Sequence, residues 1–189
     1  MADMIVRTKD GLTSALGNGL ERRGLRALVT GPQPKNVLLL LDCSGSMGGV
    51  MSTGQRRIDA LRAIVNDVLA DVVVPMASFG PSNGEIVLAV PEPGGSTPLA
   101  EAIQFARTCE KDHLVVISDG EPDSEVAALD QASQFGGKID AIFVGPEGSR
   151  GADFMRRLAA LTGGSGEVQD LRDQRLLTDT IKGFLGAGA

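Results

Sequence analysis

Val37-Leu38-Leu39-Leu40-Leu41-Asp42-Cys43-Ser44-Gly45-Ser46 is the stretch whose reading decides the fold. Five apolar residues run unbroken and then give way to an acid and hydroxyls. An apolar run ended by a turn signal predicts a strand buried on both faces, as in a parallel sheet. The polar cluster then lies at the strand's C-terminal end, where open α/β sheets hold their ligands. Asp42, Ser44 and Ser46 alternate, so a loop folding over the strand end brings three oxygen donors toward one point. Such a donor set suits a hard divalent cation.

Downstream, Gly48, Gly49 and Gly54 make a turn, and Ile58, Leu61, Ile64, Val65, Val68 and Leu69 recur at helical spacing. Residues 75–79 and 85–90 read as strands whose short connection predicts an antiparallel pair at the sheet edge. Thr97-Pro98, after a Gly-rich loop, signals a helix start with Thr as N-cap and Pro at the first helical position. His113 to Ser118 is another buried strand, ending in Asp119-Gly120. Ser124 caps a helix carrying Val126, Leu129 and Phe135. A strand at 139–144, a helix marked by Phe154, Leu158 and Leu161, a strand at 167–171 and a helix marked by Leu177, Ile181 and Phe184 complete the chain. The order predicts an α/β, doubly wound fold: a mostly parallel central sheet, one antiparallel edge strand, helices on both faces. Residues 1–34, with a leucine stripe broken by glycines, are expected to be a part-helical extension of a domain spanning 35–189.

Composition narrows the function. The chain has six Phe, no Trp or Tyr, and a net charge of −6, which argues against stacking on bases or holding a phosphate backbone. No basic-then-apolar leader and no bilayer-length apolar run is visible, so a cytoplasmic protein without a membrane partner is expected. Cys43 and Cys109 make no disulfide framework, and Cys43 reads as a small buried side chain.

Asp42, Ser44 and Ser46 after one strand, Thr97 before a helix and Asp119 after another strand can share one sheet edge. This pattern resembles the von Willebrand factor A (integrin I-like) family, whose metal-ion-dependent adhesion site reads Asp-x-Ser-x-Ser, a distant Thr and a distant Asp. All five positions match without substitution, and the stretches 41–47 and 117–122 are similar to those of bacterial members. The resemblance covers roughly residues 36–185. It implies a divalent cation held by Asp42, Ser44, Ser46, Thr97 and Asp119. Mg²⁺ is the expected ion, with Ca²⁺ or Mn²⁺ as substitutes. It also implies an open coordination position that takes an acidic side chain of a partner protein. Bacterial proteins of this kind work with MoxR-type AAA+ ATPases or in tellurium-resistance-like stress systems, which makes such an ATPase the expected partner.

The chemistry is coherent by itself. Two carboxylates only balance a divalent ion, and neutral hydroxyls donate weakly, so the ion stays attractive to an incoming acid. Glu121 and Asp123 read as a solvated rim, and Arg56, Arg57, Arg156 and Arg157 as helix-surface charges. Two alternatives compete. A metal-dependent hydrolase lacks a general base, since the sole histidine, His113, lies at the far end of its strand. A nucleotide-binding domain lacks both phosphate-loop patterns. No catalytic residue is therefore assigned.

Overall fold

The computed structural model describes residues 36–145 and 148–186. The expected N-terminal extension lies outside the described residues. Strand β1 (Val37–Asp42) is buried along its whole length. Its odd-numbered side chains Val37, Leu39 and Leu41, with Cys43 beyond its end, join one core layer. Leu38 and Leu40 join the layer on the opposite face. An unbroken apolar run is what a two-sided strand requires, because both side-chain directions meet protein.

Helix α1 (Arg57–Asp71) follows, then β2 (Met76–Phe79) and β3 (Glu85–Val87). Next come α2 (Leu99–Thr108), β4 (His113–Ser118) and α3 (Glu125–Ser133). Strand β5 (Lys138–Val144), α4 (Arg150–Ala160), β6 (Gly166–Gln169) and α5 (Gln174–Phe184) complete the order. The six strands lie in the order β3-β2-β1-β4-β5-β6. Only β3 runs antiparallel, against β2 at the edge. Helices α1 and α5 cover one face through Ile58, Leu61, Ile64, Leu177 and Ile181. Helices α2, α3 and α4 cover the other through Leu99, Ile103, Ala128, Phe154 and Leu158. This is the doubly wound, von Willebrand factor A/Rossmann-like architecture expected above. The chain moves outward from β1 to β2 and β3, then crosses back to place β4 on the other side of β1. That reversal opens a crevice between the C-terminal ends of β1 and β4.

Some expected bounds shift. Strand β3 stops at Val87, and Ile86 and Leu88 are exposed, because the edge strand lacks cover there. Helix α3 buries Ala128 and Ala132 rather than Val126, which is 80% exposed; two small residues let the helix sit close to the sheet. Leu161 falls beyond α4 and is exposed. Among the described residues no helix is long and apolar enough to cross a membrane.

Candidate metal centre

Strands β1 and β4 are parallel and in register, Leu41 opposite Ile117, so Asp42 and Ser118 emerge side by side. Asp42 is fully buried. Its Oδ1 accepts the Ser44 backbone N–H at 2.8 Å, and its Oδ2 accepts the Ser118 hydroxyl at 2.6 Å. The first bond is an Asx-type turn that folds the chain back over the strand end. A 3-10 turn (Gly45–Gly48) then brings the Ser46 hydroxyl to 3.0 Å from that of Ser44. Ser118 escaped the sequence reading, since a serine ending an apolar strand looks like simple punctuation. It orients the Asp42 carboxylate while accepting the Gly120 N–H at 3.0 Å.

Thr97 is brought in by backbone contacts. Gly94 N–H donates to the Cys43 carbonyl at 2.9 Å and Gly45 N–H to the Gly95 carbonyl at 3.2 Å, which lays this loop against the Asp42–Ser46 loop. Asp123 fixes it from the other side, accepting the Ser96 hydroxyl at 2.6 Å and the Thr97 N–H at 2.9 Å. Its own N–H donates to the Thr97 carbonyl at 3.0 Å. Asp123 and Glu121 are both exposed, as a solvated rim should be, but Asp123 also ties down the Thr97 loop. The expectation of Thr97 as N-cap is corrected. Helix α2 starts at Leu99, and Pro98, at φ −77° and ψ 59°, occupies the cap position. Those angles, with Leu99 N–H bonded to the Thr97 carbonyl at 2.8 Å, describe an inverse γ-turn. The Thr97 hydroxyl caps nothing, and its side chain is nearly buried at this edge.

Asp119 completes the set. Its Oδ1 is buried and has no hydrogen-bond partner. Its Oδ2 lies 3.8 Å from Nη1 of Arg57, which also donates to the Ser46 carbonyl at 3.1 Å. Arg57 thus remains a helix-surface charge, its side chain 38% exposed, but one that leans onto the site. Arg56, by contrast, pairs with Asp59 and Glu92, and Arg157 pairs with Glu125. Burial pushes the Asp42 carboxyl up from 3.8 to about 6, and the negative charge of Asp119 adds to the rise, against the opposing bonds from Ser118 and Ser44. Of these two crowded carboxylates only Asp119 has a cation nearby, the Arg57 guanidinium at 3.8 Å from Oδ2, and its Oδ1 stays unpartnered. The neutral hydroxyls of Ser44 and Ser46 are weak oxygen donors on the loop that follows Asp42, and backbone hydrogen bonds lay the loop leading to Thr97 against it. Among the described residues no three His, Cys, Asp or Glu side chains gather as a cation cluster, so this edge offers two carboxylates and hydroxyls rather than an acidic cage. The donor set fits a hard divalent ion.

His113 is far from this edge. Its Nε2 is 2.7 Å from Oδ2 of the buried Asp140, at the opposite ends of β4 and β5. Lys138 Nζ pairs with the same oxygen at 2.8 Å, and Ser165 N–H donates to Oδ1 at 2.7 Å. Burial alone would raise the Asp140 carboxyl, but these bonds outweigh it and hold it below the ordinary range.

Cys43 is fully buried and unbridged. Burial, reinforced by the Asp42 charge, pushes its thiol up to about 12, Arg62 opposing weakly. Iodoacetamide at pH 8 is therefore expected to label Cys109 in the folded protein and spare Cys43. A Cys43 adduct at native conditions, read by peptide mass spectrometry, would contradict that burial.

No protein-family model matches the chain, and no curated protein does. Among solved structures, the chain is similar to a manganese-loaded TRAP protein from Plasmodium vivax, with a TM-score of 0.54 and 19% identity. The likeness covers 82% of this chain and 73% of that one. At this identity what is shared is the fold.

Proposed function

We propose that the domain is a metal-dependent protein-binding module. Asp42, Ser44, Ser46, Thr97 and Asp119 hold a divalent cation, Mg²⁺ foremost, and the ion takes an aspartate or glutamate side chain of a partner. The observation that carries this reading is the buried, unpartnered Asp119 Oδ1 next to the desolvated Asp42 carboxylate. A cation between them satisfies both and leaves an electrophile facing the crevice. The fold likeness to a manganese-loaded protein agrees with it. Binding without catalysis is part of the same proposal, because the histidine that could carry protons is committed to Asp140. The partner we infer from the family resemblance is an AAA+ ATPase of the MoxR type, in a stress-response setting.

Mg²⁺ or Mn²⁺ in large excess over its Kd should raise the melting temperature, with stabilisation growing as the logarithm of concentration to about 2.7 kcal/mol at ~100 Kd. EDTA should reverse it and release captured partner. Thr97→Ala should lose most of the metal-dependent partner capture, while Thr97→Ser keeps much of it through the retained hydroxyl. Because Thr97 caps no helix, both variants should melt within about 2 °C of wild type in EDTA. Metal-insensitive melting, or full capture by Thr97→Ala, would refute the reading.

A further inference from the structure

We propose that Arg57 is a second recognition element for the partner's carboxylate: the ion takes one carboxylate oxygen and the Arg57 guanidinium takes the other. The inference rests on the metal-centre reading above. Arg57 opens α1, and its backbone N–H donates to the Gly49 carbonyl at 3.0 Å. The chain just before it forms a small turn bridged between Val50 and Arg56. This turn holds the guanidinium at the crevice mouth, with Nη1 3.1 Å from the Ser46 carbonyl and 3.8 Å from Asp119 Oδ2.

The neighbouring arginines are committed elsewhere. Arg62 bonds Asp59, Glu92 and the Val90 and Pro91 carbonyls. Arg172 is held by Asp170, Nε to Oδ2 at 2.7 Å. Arg57 uses one N–H in a hydrogen bond, to Ser46, of the five a guanidinium offers. It borders a cavity of about 210 Å³ lined by Met51, Ser52, Val144 and Leu171 and by the Asp170–Arg172 pair. A planar fork with open donors matches a carboxylate in a way a point charge does not.

Charge balance supplies the reason. Asp42 and Asp119 neutralise a divalent ion, so an incoming carboxylate brings an uncompensated negative charge to a desolvated edge. The Arg57 guanidinium restores neutrality. The same positive charge repels the ion and competes for Asp119 Oδ2, so Arg57 acts on the two ligands with opposite signs. It weakens the metal and strengthens the acid.

The experiment uses Mn²⁺ as the ion and acetate as the carboxylate probe, both followed by water-proton relaxation of the full chain. Arg57→Gln should bind Mn²⁺ about threefold or more tighter, through relief of charge repulsion. The Mn²⁺-loaded variant should bind acetate about tenfold or more weaker, the usual loss for a charge-assisted hydrogen bond. Arg57→Lys should fall between, keeping the charge but not the fork, and Arg56→Gln should match wild type. If Arg57→Gln weakens Mn²⁺ and acetate together, Arg57 merely shapes the Ser46 loop and the proposal fails. If acetate binds Mn²⁺-loaded wild type and Arg57→Gln equally, it fails while the metal-centre reading stands. If wild type binds no Mn²⁺, that reading falls and takes the proposal with it.

Discussion

Asp42→Asn is expected to abolish divalent-cation binding and yet to leave the metal-free domain more stable than wild type at pH 7, by about 1–3 kcal/mol. The carboxylate is fully buried and is raised from 3.8 to about 6, chiefly by desolvation. At about 1.36 kcal/mol per pH unit, holding it ionised costs the folded state about 3 kcal/mol. An amide removes the charge but keeps the shape. Its oxygen still accepts from Ser44, and its NH2 donates to a Ser118 hydroxyl turned to accept. Asp42→Ala should bind no metal either, but should be less stable than the Asn variant, because it leaves a cavity and deprives Ser44 and Ser118 of their acceptor. Urea midpoints in EDTA and in saturating Mg²⁺ test the ranking. Metal-dependent stabilisation of Asp42→Asn would rule out Asp42 as a ligand, and an Asn variant weaker than wild type in EDTA would show the buried charge is not strained.

The same shift fixes the sign of a pH dependence. Between roughly pH 4 and 6 the folded, metal-free protein holds a proton on Asp42 that the unfolded chain has released. More protons on the folded state mean that stability falls as pH rises through this window. The fall approaches about 3 kcal/mol at neutral pH. Asp140 acts oppositely: its carboxyl is depressed, so its contribution is present above its ordinary value of 3.8 and is lost below it. The two windows do not overlap. Subtracting the Asp42→Asn curve from that of wild type, both in EDTA, should isolate the Asp42 contribution, and a flat difference from pH 4.5 to 7 would contradict it.

How far the sequence reaches depends on which atoms do the work. The strands were legible because Val37–Leu41 and His113–Ser118 are apolar over their whole length or nearly so, as two-sided burial demands. The five candidate ligands were legible because each follows a strand or precedes a helix at the reversal point of the sheet. Helix faces were less so: α3 packs through Ala128 and Ala132, and alanine gives a weak periodic signal. Asp123 and Arg57 escaped for another reason. Each works through a loop that is distant in sequence, Asp123 on Ser96 and Thr97, Arg57 on Ser46. No local pattern distinguishes such an acid or base from a surface charge that holds nothing. Ser118 carried a faint signal, a hydroxyl one residue before the candidate ligand Asp119 on an otherwise apolar strand.

Gly80→Ala is expected to lower the melting temperature by about 6–15 °C and to weaken the cation site in what remains folded. Gly80 follows β2 at φ +120°, a conformation that strains any residue with a β-carbon. A β-carbon there would lie 2.4 Å from the Ser44 nitrogen and 2.6 Å from the Cys43 carbonyl oxygen. Both are backbone atoms of the loop that carries the candidate ligands, so no rotamer change relieves the clash. Nor can the residue retreat, because the Gly80 carbonyl is itself pressed by Gly95, whose own added β-carbon would sit 2.1 Å from that oxygen. Backbone from 43–44, 80 and 95 is thus stacked with no side chain between, which lays the loop leading to Thr97 against the Asp42–Ser46 loop. Left-handed strain of about 1–2 kcal/mol and overpacking of about 1–3 kcal/mol together give the predicted loss. Gly94→Ala is the internal control: a β-carbon there meets nothing within 4 Å, so its melting temperature should stay near that of wild type. Thermal melts in EDTA and Mn²⁺ titrations of both variants decide the matter. A Gly80→Ala protein that melts like Gly94→Ala and binds Mn²⁺ like wild type would show that the stacked backbone does not set the geometry of the site.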